Sequence, residues 1–273
     1  MAKANSSFSE VQIARRIKEG RGQGHGKDYI PWLTVQEVPS SGRSHRIYSH
    51  KTGRVHHLLS DLELAVFLSL EWESSVLDIR EQFPLLPSDT KQIAIDSGIK
   101  HPAIRGVDQV MSTDFLVDCK DGPFEQFAIQ VKPAAALQDE RTLEKLELER
   151  RYWQQKQIPW FIFTDKEINP VVKENIEWLY SVKTEEVSAE LLAQLSPLAH
   201  ILQEKGDENI INVCKQVDIA YDLELGKTLS EIRALTANGF IKFNIYKSFR
   251  ANKCADLCIS QVVNMEELRY VAN

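Results

Sequence analysis

The fold is decided by the stretch TDFLVDCKDGPFEQFAIQVKP at residues 113–133. Two runs rich in β-branched and aromatic residues, 113–118 and 124–132, flank the pair Asp121-Gly122. This order predicts a β-hairpin, because such runs favour extended backbone and an Asp-Gly pair favours a tight turn. If the turn is centred on Gly122, positions 114 and 130 are equally far from it and lie opposite each other.

The two predicted strands carry polar side chains on a shared face. Alternate residues of a strand point the same way, so Gln130 lies beside Lys132 while Ile129 and Val131 point into the core. Asp114 joins them from the opposite strand. A carboxylate, an amide oxygen and an ammonium group on one face offer hard oxygen ligands for Mg²⁺ and a cation for a phosphate or an anionic nucleophile. The pattern indicates phosphodiester chemistry.

A helix in front of the hairpin adds a second carboxylate. The sequence SDLELAVFLSLEW, which starts at Ser60, spaces apolar side chains four positions apart and predicts an amphipathic helix with Ser60 as its N-cap. Glu63 lies in its first turn and could complete the site. The spacing Ser60-x-x-Glu63 is also a capping box, which needs no catalytic role. Asp114, Gln130 and Lys132 could equally be the exposed polar face of a half-solvated hairpin.

The other segments of the first half complete a mixed sheet flanked by helices. In chain order, the pattern predicts strand 76–85, a short helix or turn 89–98, the hairpin, helix 137–157 and strand 159–164. Strands and helices in this order are typical of an α/β fold.

The pattern changes after residue 165, where runs of helical periodicity follow one another. The last run ends at Asn238-Gly239 and leads into a predicted strand. Several helices followed by a strand resemble a winged-helix module. Because 273 residues exceed one typical domain, we expect two domains, 1–168 with the polar site and 169–273, which is mostly helical.

The composition is that of an ordinary globular protein, with 43% hydrophobic and 26% charged residues. No stretch approaches the roughly 20 apolar residues of a membrane span, and the start MAKANSSFSE has no apolar signal-peptide core. We therefore expect a cytoplasmic protein without membrane contact.

Positive charge is concentrated near the start of the chain. Residues 1–57 hold ten Lys or Arg against four acids, a net charge of +6, whereas the whole chain carries −6. A basic arm on an acidic body suits a protein that binds a polyanion with one face; a merely solvated tail is the equal alternative. The glycine-rich segment 20–27 within this region is expected to be a mobile loop.

The polar residues also carry a family resemblance. Glu63, then Asp114, then Gln130-Val131-Lys132 resemble the PD-(D/E)xK motif of restriction endonucleases, and both halves of the chain resemble the TnsA family. The sequence departs from the general motif in two places. Ser112-Thr113 precede Asp114 where the motif has proline, and Gln130 replaces the second acid. The amide removes one negative charge from the ligand set.

The resemblance implies a restriction-endonuclease-like fold and a catalytic site of Glu63, Asp114, Gln130 and Lys132. It implies that the first three bind Mg²⁺, for which Mn²⁺ substitutes, and that Lys132 acts on the attacking water. It also implies cleavage of DNA at the 5′ ends of a transposon, beside an integrase-like transposase subunit that cuts the 3′ ends.

The C-terminal domain would then engage an ATP-dependent regulator and DNA, and the protein would associate with the bacterial nucleoid when active. Two alternatives stay open at this point. One is a non-catalytic adaptor that binds DNA and a partner, and the other is a junction-resolving nuclease of the same fold.

Overall fold

The computed structural model describes residues 8–38, 43–184 and 186–259. Lys3 of the predicted basic arm and residues 260–273 of the predicted second domain lie outside the described residues. The chain divides into two compact units, Met1–Ile168 and Asn169–Asn273.

The first unit is built on a mixed sheet of four strands, which lie in the order β3 (Val76–Pro84), β6 (Ser112–Cys119), β7 (Gln126–Val131) and β8 (Trp160–Phe163). Strands β3, β6 and β7 are antiparallel, and β8 is parallel to β7. A separate antiparallel pair, β1 (His45–Ser49) and β2 (Arg54–Leu58), precedes this sheet. The elements are α1 Glu10–Lys18, β1 His45–Ser49, β2 Arg54–Leu58, α2 Asp61–Trp72, β3 Val76–Pro84, α3 Pro87–Ser97, β4 Ala103–Ile104, β5 Val107–Asp108, β6 Ser112–Cys119, β7 Gln126–Val131, α4 Glu140–Gln155 and β8 Trp160–Phe163.

The predicted hairpin is confirmed as β6 and β7. Phe115 pairs with Ile129 and Leu116 pairs with Ala128, a register that sets position 114 opposite position 130. The predicted α/β class with a mixed sheet and flanking helices is confirmed as well. Helices α3 and α4 cover the sheet through a buried apolar cluster made of Leu85, Ile93, Ala94, Leu116, Ala128, Leu148, Tyr152 and Trp153.

The prediction of an amphipathic helix at α2 is wrong. Its buried residues follow one another from Glu63 to Leu68, with Leu70 and Glu71 beyond, so no solvated stripe runs along it. The reason is its position, because α2 packs against β1 and β2 as well as against β3 and β7. A helix surrounded by other elements is apolar on most sides. This interior position carries Glu63 towards the sheet.

Three arginines of the predicted basic arm are paired within the unit. Arg16 and Arg21 both bind Glu37 at 2.9 Å, and Arg54 Nη2 lies 2.6 Å from Glu81 Oε2. The idea of a free basic arm is therefore wrong for these residues. Their positive charge is neutralised by acids, one of which lies outside residues 1–57.

The glycine-rich segment, expected to be a mobile loop, packs against β3. Gly22 N donates to Ile30 O at 2.6 Å, and Gly26 N donates to Asp78 Oδ2 at 3.0 Å. Gly22 has φ +81° and touches Pro84 so closely that a Cβ would lie 2.1 Å from the proline Cγ. Glycine is required there for packing as well as for backbone conformation.

The second unit consists of helices around their own apolar core, which includes Leu198, Leu202, Ile210, Val213 and Leu235. The predicted helix that ends at Asn238-Gly239 and leads into a strand is confirmed, with Gly239 at φ +83°. The elements are α5 Pro170–Tyr180, α6 Ala189–Ala193, α7 Leu195–Glu204, α8 Ile210–Ala220, α9 Lys227–Ala237, β9 Ile241–Lys242 and β10 Cys258–Ile259.

The two short strands β9 and β10 pair antiparallel. The winged-helix assignment stays a prediction. Across the described ranges of both units, no helix has the length and apolar character needed to cross a membrane.

Candidate active site

The structure brings the four residues singled out in the sequence to one place in the first unit. Val131 N donates to Asp114 Oδ2 at 2.8 Å, and Lys132 Nζ lies 3.5 Å from the same oxygen. Asp114 N donates to Gln130 Oε1 at 3.2 Å. These contacts follow from the hairpin register, which sets β6 and β7 side by side at this end.

Glu63 reaches the same site from the first turn of α2. Its carboxylate accepts hydrogen bonds from Leu59 N at 2.8 Å and Ser60 Oγ at 3.0 Å. Gln82 Nε2 then links the two acids, donating to Glu63 Oε2 at 3.2 Å and to Asp114 Oδ1 at 3.4 Å. Ser60 is the N-cap of α2, since its Oγ accepts from Glu63 N at 3.1 Å, but the Glu63 carboxylate binds Leu59 N and not Ser60 N as a capping box requires.

The site is buried, which contradicts the alternative of a half-solvated polar face. Glu63 and Asp114 are each 7% exposed and Gln130 is 5% exposed. The Lys132 side chain retains 31% exposure, so the lysine forms the solvent side. Buried carboxylates are costly unless they are paired, and this cost indicates a function for the group.

Burial and mutual repulsion set the charges of the site. Burial, together with the charge on Asp114, raises the pKa of Glu63 to about 8. Burial by itself lowers the pKa of Lys132. The nearby acids Asp114, Glu149 and Glu63 outweigh this effect, so the lysine pKa is raised. Lys132 is therefore a cation, and it lies beside the carboxylate of Asp114.

Glu149 is a site residue that sequence reasoning missed. It lies on α4, is 3% exposed, and its Oε1 accepts from Thr113 Oγ1 at 2.7 Å and from Trp160 Nε1 at 2.9 Å. Burial and the Asp114 charge raise its pKa to about 8. A signal was present, because Glu149 falls inside the apolar stripe of a helix otherwise charged on most of its surface.

Gln82 is the second residue that sequence reasoning missed. It is 2% exposed and has φ +49°, an uncommon conformation for a residue other than glycine. Gln82 lies at the site because β3 pairs with β6: Phe83, the next residue along β3, pairs with Thr113, which precedes Asp114. No local pattern could have pointed to it, since its position depends on the pairing of strands distant in sequence.

The donor set fits a divalent cation. The carboxylate oxygens of Glu63 and Asp114 and the amide oxygen of Gln130 are hard ligands of the type that Mg²⁺ binds. Burial first, and then the charge on Asp114, raise the pKa of Glu63, and a cation at the site would favour the ionised carboxylate.

A second acidic group is a weaker candidate for an ion. His25, Asp78 and Asp118 each offer one ligand atom, and these three atoms all lie within 4.8 Å of one another. However, Arg80 Nη2 lies 2.7 Å from Asp118 Oδ1, and Gly26 N donates to Asp78. An arginine therefore already supplies the positive charge there, and a divalent ion would have to compete with it.

His56 and His57 have structural roles in the first unit. His56 is fully buried with Nδ1 2.9 Å from Glu81 Oε2, and His57 Nδ1 accepts from Val35 N at 3.4 Å.

A mixed sheet that carries buried acids, an amide oxygen and a lysine is typical of metal-dependent endonucleases. The family model described as "TnsA-like endonuclease N terminal" matches residues 73–165, and the model described as "TnsA endonuclease C terminal" matches residues 167–245. The chain is also similar to an Escherichia coli protein, "Transposon Tn7 transposition protein TnsA", with 99% identity over 273 residues that cover 100% of both sequences.

The chain therefore belongs to the TnsA family and is an endonuclease. Membership of this endonuclease family implies a divalent metal ion. Asp114, Gln130 and Lys132 lie within the match to the N-terminal model, whereas Glu63 precedes it.

Proposed function

We propose that this protein is a Mg²⁺-dependent DNA endonuclease that hydrolyses phosphodiester bonds at the 5′ ends of a transposon during cut-and-paste transposition. It would act as one subunit of a multi-subunit transposase. The observation that carries the proposal is the buried convergence of Asp114, Gln130 and Lys132 with Glu63. The transposition name of the similar Escherichia coli protein supports the biological setting.

We assign Mg²⁺ binding to Asp114, Gln130 and Glu63. Asp114 and the Gln130 oxygen hold the ion, and Glu63 completes or bridges the coordination. When bound, Mg²⁺ supplies a Lewis acid that polarises the phosphate and lowers the pKa of water. Because Gln130 contributes no charge, we expect metal affinity to rise when a DNA phosphate joins the ligands.

Lys132 stabilises the charge that develops on the phosphate and orders the attacking water. Its Nζ is held by Val131 O at 3.0 Å and faces Asp114 Oδ2 at 3.5 Å. Its partly exposed side chain leaves room for a substrate oxygen on the solvent side. In-line attack of water would leave 3′-hydroxyl and 5′-phosphate ends.

The variant Lys132→Met tests this role against Lys156→Met, which removes a lysine that pairs with Asp89 on the surface. We expect Lys132→Met to bind Mg²⁺ but to lose cleavage of transposon-end DNA in the reconstituted complex. Lys156→Met should keep both properties. Normal turnover by Lys132→Met would overturn the assigned role, and binding without cleavage by the wild type would favour the adaptor alternative.

We further propose that the second unit contacts an ATP-dependent regulator and DNA, while an integrase-like subunit cuts the 3′ ends. Lys242, Lys247, Arg250 and Lys253 are candidates for phosphate contacts. Lys247 and Lys253 bind Asp256 and Asp207 in surface ion pairs. Such pairs contribute little stability and could exchange for phosphate.

Fragments test this division of labour. Residues 169–273 should capture the regulator in a pull-down, and residues 1–168 should bind Mg²⁺ but not the regulator. Capture by residues 1–168 alone would contradict the proposal.

A further inference from the structure

Gln82 occupies a strained and buried position between the two acids. Its φ of +49° lies in the left-handed region, which an L-residue adopts only where the surroundings impose it. Trp32 N donates to its carbonyl oxygen at 3.2 Å, which helps to hold the backbone. Observed strain of this kind clusters at functional sites.

The amide of Gln82 divides its two N–H groups between the two carboxylates. Nε2 lies 3.2 Å from Glu63 Oε2 and 3.4 Å from Asp114 Oδ1. An amide nitrogen offers two donors, so one donor faces each acid. Nitrogen faces the acids because the amide oxygen would be repelled by them.

Gln82 is not needed to place either carboxylate. Glu63 is already held by Leu59 N at 2.8 Å and by Ser60 Oγ at 3.0 Å. Asp114 is held by Val131 N at 2.8 Å. The contacts from Gln82 are longer than these, and both go to carboxylates that we assign to the metal.

We propose that the Gln82 side chain stands in for the cation in the metal-free site and competes with the metal for Glu63 and Asp114. The inference rests on the proposed function of these acids as metal ligands. The amide offers each acid a hydrogen bond while no ion is bound. Glu63 and Asp114 would exchange these two hydrogen bonds for the cation when a metal binds.

The direction in which Mn²⁺ affinity changes in a Gln82 variant distinguishes a competing side chain from a metal ligand or a positioning residue. In Gln82→Met both competing hydrogen bonds are lost at nearly constant volume. Mn²⁺ should therefore bind at least about tenfold more tightly, since one hydrogen bond to a charged group already accounts for a change of that size. If Gln82 were a metal ligand or a positioning residue, the same variant would bind Mn²⁺ more weakly.

The test is calorimetric titration of the full chain with Mn²⁺ alone, after removal of metal. The matched control is Gln92→Met, since Gln92 donates to Asp96 on the exposed side of α3 and neither residue belongs to a candidate ion site. The control should bind Mn²⁺ as the wild type does. The rise in melting temperature on adding Mn²⁺ is a second readout and should be larger in Gln82→Met than in the wild type.

If Gln82→Met does not fold, Gln82→Gly removes the side chain and suits the positive φ, and the same gain is expected. Unchanged or weaker Mn²⁺ binding in a folded variant would overturn the stand-in role while leaving the proposed metal site intact. If the wild type showed no Mn²⁺ binding that Asp114→Asn removes, the metal site and the inference would both fail.

Discussion

The charge state of Glu149 gives a prediction that does not depend on catalysis. The carboxyl is fully buried, and its pKa is raised from 4.5 to about 8. Between these values the folded protein binds a proton that the unfolded chain releases, so the free energy of unfolding falls as pH rises. Each pH unit between the two pKa values lowers the free energy of unfolding by about 1.4 kcal/mol. At pH 9 the buried Glu149 carboxyl therefore reduces the free energy of unfolding by at most about 5 kcal/mol.

The variant Glu149→Gln should remove this penalty. Its amide oxygen can still accept from Thr113 and Trp160, which both donate to Oε1. In urea unfolding without metal, we expect it to match the wild type near pH 5 and to be the more stable protein by several kcal/mol near pH 9. A difference that stays constant between pH 5 and pH 9 would refute the assigned pKa shift.

Three further outcomes are expected. Burial raises the pKa of Glu81, but His56 and Arg54 outweigh this effect and lower the pKa to about 2. In urea unfolding, Arg54→Met should therefore reduce the free energy of unfolding by about 3–5 kcal/mol. A reduction below about 1 kcal/mol would contradict the buried pair. Gln130→Glu should bind Mn²⁺ more tightly than the wild type in the absence of DNA, because a carboxylate adds a negative charge to the ligand set. If calorimetry shows no gain in Mn²⁺ affinity, Gln130 is not a ligand. Lys132→Met should bind Mn²⁺ at least as tightly as the wild type in the same titration, because it removes a positive charge beside Asp114; a large loss of affinity would contradict the assignment of Lys132 to the water and the phosphate alone.

The hairpin could be predicted from the sequence because its information is local. The turn at Gly122 sets the register, and alternation along β7 then sets Gln130 beside Lys132. The N-cap role of Ser60 was visible in the same way, from its place directly before the apolar run of α2.

The other features depend on contacts between distant segments. The charge count near the start of the chain missed the pairing of Arg54 with Glu81, because nothing nearby in the sequence marks that acid as its partner. The burial of α2 required knowledge of the elements on both sides of it. Gln82 meets Glu63 and Asp114 only after β3 pairs with β6.

The most direct test of the proposed site is cleavage of transposon-end DNA by the reconstituted complex, comparing the wild type with Asp114→Asn in Mg²⁺ and in chelator. Asp114 is buried and accepts from Val131 N, so asparagine retains the shape and an acceptor oxygen while removing the charge. We expect cleavage at the 5′ ends only by the wild type in Mg²⁺, with both proteins folded and bound to DNA. Cleavage by Asp114→Asn at the wild-type rate, or cleavage by the wild type in chelator, would contradict the account.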